Sequence, residues 1–379
     1  MQSSMGNIVR EKTSRFRKMM DFLDSFLEMG TPGFDCVVYH HGTCVYRHMR
    51  GYRNYENTQK MTGNELYHLY SLSKPVTCTA ALMLMEKGAF GLEDALCEYL
   101  PEFTKMYVKM DGRGEAVLPA QNPVRIRDLF CMTAGFSYDL ASEQLKRGWV
   151  ETNGVCPTRE MMRYLAKEPL SFEPGTQWQY SFCHDVLAAL VEVVSGMQFS
   201  AFVSQYIFEP LEMKHSTFDD RTVNREELMA QYRYDAERKC LVNCGKENQG
   251  FKLGRAYESG GAGCISSVDD YIRFAEALRK ENVLLNTKTS RLMWSNQLNE
   301  ACLNTFSQDR VRDYGYGLGV RCPQMYSTKK DFGWGGAGGA FLAISPQSGY
   351  SLLYVQHVLD SPVQAVKGEL VNILDGALA

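Results

Sequence analysis

Apolar residues fall in short extended runs near the two ends of the chain and in helical rhythm between them. Near the start, Phe16, Met19, Met20, Leu23, Phe26 and Leu27 recur at three- and four-residue spacing, which predicts an amphipathic first helix. FDCVVYH (34–40), a turn at His41-Gly42-Thr43 and CVYRHMRGY (44–52) predict a β-hairpin, because two β-forming runs flank a glycine-containing turn. A second hairpin is predicted from AFLAIS (340–345) through Pro346-Gln347-Ser348-Gly349 to YSLLYVQH (350–357). Beyond it, Ser361 as cap and Pro362 as first residue predict a terminal helix through VQAVKGELVNILDGAL. The middle of the chain reads as helices over 74–87 before Gly88, 159–167, 185–195 before Gly196, and 268–280.

This order implies an α+β fold in which one antiparallel β-sheet, built from strands at both chain ends and flanked by helices, carries an inserted, mainly helical lobe. The expected division is a discontinuous sheet domain, 1–72 with 255–379, and a helical domain over 73–254. The active site is expected in the cleft between them.

Composition narrows the function classes. With 379 residues, 45% of them hydrophobic and 22% charged, the chain is long enough for a large core. A net charge of −3 leaves no electrostatic footprint for nucleic acid, so a small-molecule substrate is expected. No apolar run approaches the roughly 18 residues that cross a bilayer, so no membrane association is expected. The first thirty residues lack an apolar block followed by small residues, so no secretory signal is read there. Glu11, Asp21, Asp24 and Glu28 also argue against a membrane-surface helix.

Twelve cysteines are scattered through the chain, several within apolar segments (Cys36, Cys78, Cys183, Cys264), which suits buried thiols in a reducing cytoplasm better than a disulfide framework. Cys240 and Cys244 have no partner pair at zinc-ligand spacing, so no metal or cofactor is expected. Oligomeric state is not set by these features.

The candidate chemistry begins at LYSLSKPV (69–76). Ser71 and Lys74 are three apart and share a helix face, whereas Ser73 points elsewhere. A hydroxyl needs a proton acceptor to become a nucleophile, and an amine one turn away can be that acceptor or tune another. The same spacing also fits a helix-capping serine with a solvated lysine, and it recurs at Ser327 and Lys330 in a polar connection, so the spacing alone does not decide.

The surrounding segments do. LYSLSKPVTCTAALMLMEKGAFGLEDALCEYLPEF, VRIRDLFCMTAGFSYD, FEPGTQWQYSFCHDVLAALVEVVSG, ESGGAGCISSVDDYIRFAEAL and YGYGLG occur in an order that resembles the serine β-lactamase and penicillin-binding-protein superfamily. The likeness runs from about residue 20 to 360 and is greatest to the class C-like branch that contains the family VIII carboxylesterases.

The resemblance implies roles. Ser71 becomes the nucleophile, and Tyr180 in WQYSFCHD becomes the proton shuttle with Lys74 as its electrostatic partner. An ammonium about 4 Å from a phenol contributes about 4 kcal/mol at an effective dielectric near 20, enough to favour a phenolate near neutral pH. Trp334-Gly335-Gly336 aligns with the third element of the superfamily, and the N–H groups of Ser71 and Ala337 would form the oxyanion hole. The resemblance also implies that Trp334, Gly335, Gly336 and Phe182 bind substrate; Phe182 stands where the superfamily usually has an asparagine, and Trp334 where it usually has lysine or histidine. Both changes remove groups that recognise anionic acylamides, so the expected activity is a serine carboxylesterase acting on small, neutral, apolar esters. The same nucleophile would serve a β-lactamase, a D-amino-acid peptidase or an acyltransferase, and the lost asparagine also fits a non-catalytic ligand-binding relative. No GxSxG occurs, which leaves the α/β-hydrolase route unsupported.

Overall fold

The computed structural model of the chain describes residues 15–110, 116–245, 250–309 and 313–379; residues 1–14, over which no secretory signal is read, lie outside the described residues. Helix α1 (Arg17–Glu28) leads into the hairpin β1 (Gly33–His40) and β2 (Thr43–Gly51). Helices α2 (Ser73–Glu86), α3 (Cys183–Ser195) and α4 (Val268–Arg279) follow. The chain closes with β3 (Phe341–Ser345), β4 (Tyr350–Gln356) and α5 (Glu369–Leu378).

The two predicted hairpins join into one antiparallel sheet in the order β3-β4-β1-β2. In its register Val37 lies opposite Leu353 on one side and Arg47 on the other. Alternation along the strands sends Phe34, Cys36 and Val38 to a face covered by α1 and α5, where Met19, Leu23, Phe26, Leu370 and Leu374 meet them. Val37, Leu342 and Leu353 point the opposite way, into the core shared with α4 and the helical lobe. With both faces covered, β3 and β4 are buried throughout, which explains why their sequences run apolar instead of alternating.

In the helical lobe, α2 and α3 pack side by side. Gly196 at φ +69° ends α3, a left-handed position that costs glycine least. Ser267 caps α4 by accepting the Asp270 N–H.

Two expectations need correction. Ser361 caps only a short 3-10 turn (Pro362–Ala365), and the α-helix begins at Glu369, because Lys367 turns its side chain inward against the carbonyls of Gly339 and Ala340. The middle of the chain also contains strands: Tyr232–Asp235 pairs with Cys240–Asn243 and, in parallel, with Val358–Leu359. This segment, which the sequence places in 73–254, is fastened to the sheet side by Met229 N–H to the Leu66 carbonyl and Tyr232 N–H to the His357 carbonyl.

Candidate active site

Ser71 lies in a 3-10 turn (Tyr70–Leu72) that leads directly into α2, one step before the helix proper. Tyr70 adopts φ +51°, a strained backbone for a bulky residue, and this bend turns Ser71 towards the helical lobe while Lys74 stays in the first turn of α2. Ser71 is half-buried and Lys74 completely buried. The Lys74 ammonium donates to Ser71 Oγ at 3.3 Å and to the Gly261 carbonyl at 2.7 Å.

Ser73 is used up structurally: its hydroxyl donates to the Tyr70 carbonyl at 2.6 Å and accepts the Cys264 N–H at 2.8 Å. The other match to the motif is far from this arrangement. Ser327 accepts from the Lys329 N–H, and Lys330 is exposed in a connection with no following helix.

Tyr180, just ahead of α3, shares a hydrogen bond with Ser71 Oγ, and its ring centroid is 4.4 Å from Lys74 Nζ. One serine oxygen therefore meets an ammonium and a phenol at once. The Tyr180 ring is stacked on Trp334, with centroids 6.2 Å apart and planes 11° from parallel. Trp334 is 7% exposed and also meets Tyr316 edge-on at 5.1 Å. Its indole thus acts on the site by holding Tyr180 and presents little open surface of its own.

Gly335 bridges to Phe341, and the chain then turns, with Gly336 N–H donating to the Ala340 carbonyl at 2.9 Å. A Cβ at Gly336 would lie 2.4 Å from the Leu69 carbonyl oxygen, so glycine lets this turn press against the segment that carries Ser71. Ala337, next in the turn, is exposed.

Phe182 is placed differently from the expectation. It is the residue preceding α3, is 1% exposed, and packs its ring against Tyr138 at 4.9 Å between centroids. Tyr138, not Phe182, faces the site: its ring meets Tyr180 edge-on at 5.4 Å and lies 5.6 Å from Lys74 Nζ. Burial, with Asp185 and Tyr180 nearby, pushes the Tyr138 phenol well above its ordinary range, so it stays neutral. Tyr138 lies within VRIRDLFCMTAGFSYD, where the sequence alone gives it no role.

Two more groups beneath the site were also missed. Asp185 is buried and accepts from Tyr257 at 2.9 Å and Ser259 at 2.6 Å. Burial raises its carboxyl, while those hydrogen bonds and the Lys74 charge oppose the shift. A Cβ at Gly261 would fall 2.6 Å from Asp185 Oδ2 and 3.4 Å from Lys74 Nζ, so a bare backbone lies between carboxyl and ammonium. His184, with Nε2 3.3 Å from the Phe130 carbonyl, is held neutral, its pKa lowered to about 3 by burial and by Lys74. Among the described residues no three His, Cys, Asp or Glu side chains are placed to hold a metal ion, and no single helix is long and apolar enough to cross a membrane.

The family described as Beta-lactamase matches residues 13–374. The chain belongs to the beta-lactamase family. Within it, the chain is 30% identical over 269 residues to esterase EstB of Burkholderia gladioli, an alignment covering 65% of each chain, just under two thirds. It is 29% identical over 204 residues to lovastatin esterase of Penicillium rubens, covering 52% of this chain and 50% of that one. Among solved structures, EstCE1, a hydrolase with promiscuous acyltransferase activity, shares the fold with a TM-score of 0.77 at 24% identity, covering 98% of this chain and 99% of that one.

Proposed function

We propose that the protein is a serine hydrolase that cleaves small, neutral, apolar esters through an acyl-Ser71 intermediate. The observation that carries this reading is the convergence of Lys74 Nζ and Tyr180 on a single oxygen, Ser71 Oγ. In the proposed cycle Tyr180 takes the Ser71 proton as Oγ attacks the ester carbonyl, with Lys74 stabilising the phenolate charge. The N–H groups of Ser71 and Ala337 hold the tetrahedral oxyanion, and Tyr180 returns the proton to the departing alcohol. Water then adds to the acyl carbonyl, the bond from that carbon to Ser71 Oγ breaks, the carboxylic acid leaves and one water proton returns to Oγ. The Tyr138 and Tyr180 rings beside Ser71 and Lys74 suit an apolar acyl or alcohol group better than a carboxylate. The names of EstB and lovastatin esterase point the same way.

Incubation with a fluorophosphonate probe and a short-chain p-nitrophenyl ester tests the proposal. Labelling and hydrolysis are expected to vanish in Ser71→Ala and persist in Ser327→Ala. Full hydrolysis by folded Ser71→Ala would remove the reading. Faster turnover of nitrocefin or a D-alanyl amide than of esters would keep the acyl-enzyme and replace the substrate class.

A further inference from the structure

The turn Gly336–Ala340 is held from behind by two residues of the C-terminal segment. Gln364 Nε2 donates to the Gly336 carbonyl at 3.3 Å and to the Ala337 carbonyl at 3.0 Å. Lys367 Nζ donates to the Gly339 carbonyl at 3.3 Å and the Ala340 carbonyl at 2.9 Å. The Val358 N–H takes the Gly338 carbonyl at 2.9 Å, so each of the five carbonyls from Gly336 to Ala340 accepts a hydrogen bond.

This matters because a trans peptide is planar. The Gly336 carbonyl and the Ala337 N–H belong to one peptide unit and point in opposite directions, so whatever fixes the first aims the second. The Gly336 carbonyl is fixed by two donors, the Gly339 N–H at 3.0 Å and Gln364 Nε2 at 3.3 Å. Gly336 itself abuts the Leu69 carbonyl, two residues before Ser71.

Resting on the proposed acyl-Ser71 chemistry, we propose that Gln364 and Lys367 are positioning residues that aim the Ala337 N–H at the oxyanion by anchoring the opposite edge of its turn. A buried lysine is costly in a role that simple packing could fill. Lys367 is 7% exposed, with its ammonium 5.9 Å from the Phe341 ring centroid. Burial, together with the nearby Arg321, which is itself paired with Asp331, lowers Lys367 to about 7. The turn's carbonyls are the acceptors its ammonium finds. Gln364, in contrast, is exposed, so replacing it leaves the core intact.

The test compares Gln364→Leu, Gln364→Lys and wild type for kcat and KM on a p-nitrophenyl ester, for inhibition by an alkyl trifluoromethyl ketone whose serine adduct carries the oxyanion, and for melting temperature. Gln364→Leu is expected to lower kcat about tenfold, a fraction of the 10² to 10³ that loss of a whole oxyanion donor costs. Ketone affinity should fall in parallel, with KM and melting temperature nearly unchanged. Gln364→Lys, which keeps a donor at the same reach, should restore most of kcat. Lys367→Met should show the same kcat loss in the fraction that remains folded. Unchanged kcat and ketone affinity in Gln364→Leu would overturn the positioning role while leaving Ser71 chemistry intact; hydrolysis surviving in Ser71→Ala would instead overturn the chemistry.

Discussion

The phenol ring of Tyr180 lies parallel to the indole of Trp334, 11° from coplanar and 6.2 Å between centroids, and its hydroxyl reaches Ser71 Oγ from that stack. Removing the hydroxyl and removing the stack should therefore differ in kind. Tyr180→Phe keeps the ring in place and should lower kcat by about 10² to 10⁴, the usual worth of a positioned acid–base group. Trp334→Leu keeps the hydroxyl but frees the ring, and should lower kcat by about 10 to 10² through misplacement. Steady-state hydrolysis with thermal melts separates the two, and equal activity in wild type and Tyr180→Phe would exclude Tyr180 as the shuttle.

Gly336→Ala asks whether the close approach of the glycine turn is needed. The added methyl would sit 2.4 Å from the backbone oxygen of Leu69, which cannot rotate away, so the turn must back off from Ser71. A loss of about 10² in kcat is expected, comparable with losing one oxyanion donor. Wild-type kcat in a folded Gly336→Ala protein would show that the turn takes no part.

Ser73→Ala should separate stability from chemistry. The substitution leaves the buried Cys264 N–H without its partner, at a cost of about 1–3 kcal/mol. Urea unfolding should show that loss, while the folded protein continues to hydrolyse ester.

A pH prediction follows from His357, which is buried beside His68 and whose pKa is lowered to about 3 by burial and by that neighbour. The unfolded chain binds a proton near pH 6.5 and the folded chain does not, so the contribution is present above that pH and is lost as pH falls. Between pH 7.5 and 5 the loss is roughly 2 kcal/mol. Replacing His357 by Gln removes it, so His357→Gln should gain roughly that much stability relative to wild type over this interval in urea titrations. A stability difference that does not change with pH would contradict a buried neutral His357.

Local patterns revealed the elements that depend on local physics. Both hairpins, α1 and the cores of α2, α3 and α4 were legible because period-two and period-3.6 apolar spacing and glycine stops act within a few residues. Ser71, Tyr180 and the glycine turn were legible only as an ordered resemblance, since contacts between residues 71 and 180 leave no periodic trace. Tyr138, Asp185 and the anchors Gln364 and Lys367 were not legible. Each gains its place from a partner far along the chain, and Lys367 interrupts an otherwise good helical pattern for such a contact. Phe182 was expected to bind substrate because sequence shows residue type and not the direction in which a ring points.

The central strand β1 has β2 as its immediate neighbour in sequence, but its other partner is β4, with Phe34 opposite Gln356. A ribosome must therefore translate as far as Gln356 before that sheet can close. A nascent chain that has already displayed Ser71, Lys74 and Tyr180 still lacks the glycine turn, so the proposed hydrolase is born silent and gains its chemistry only as β3 and β4 emerge.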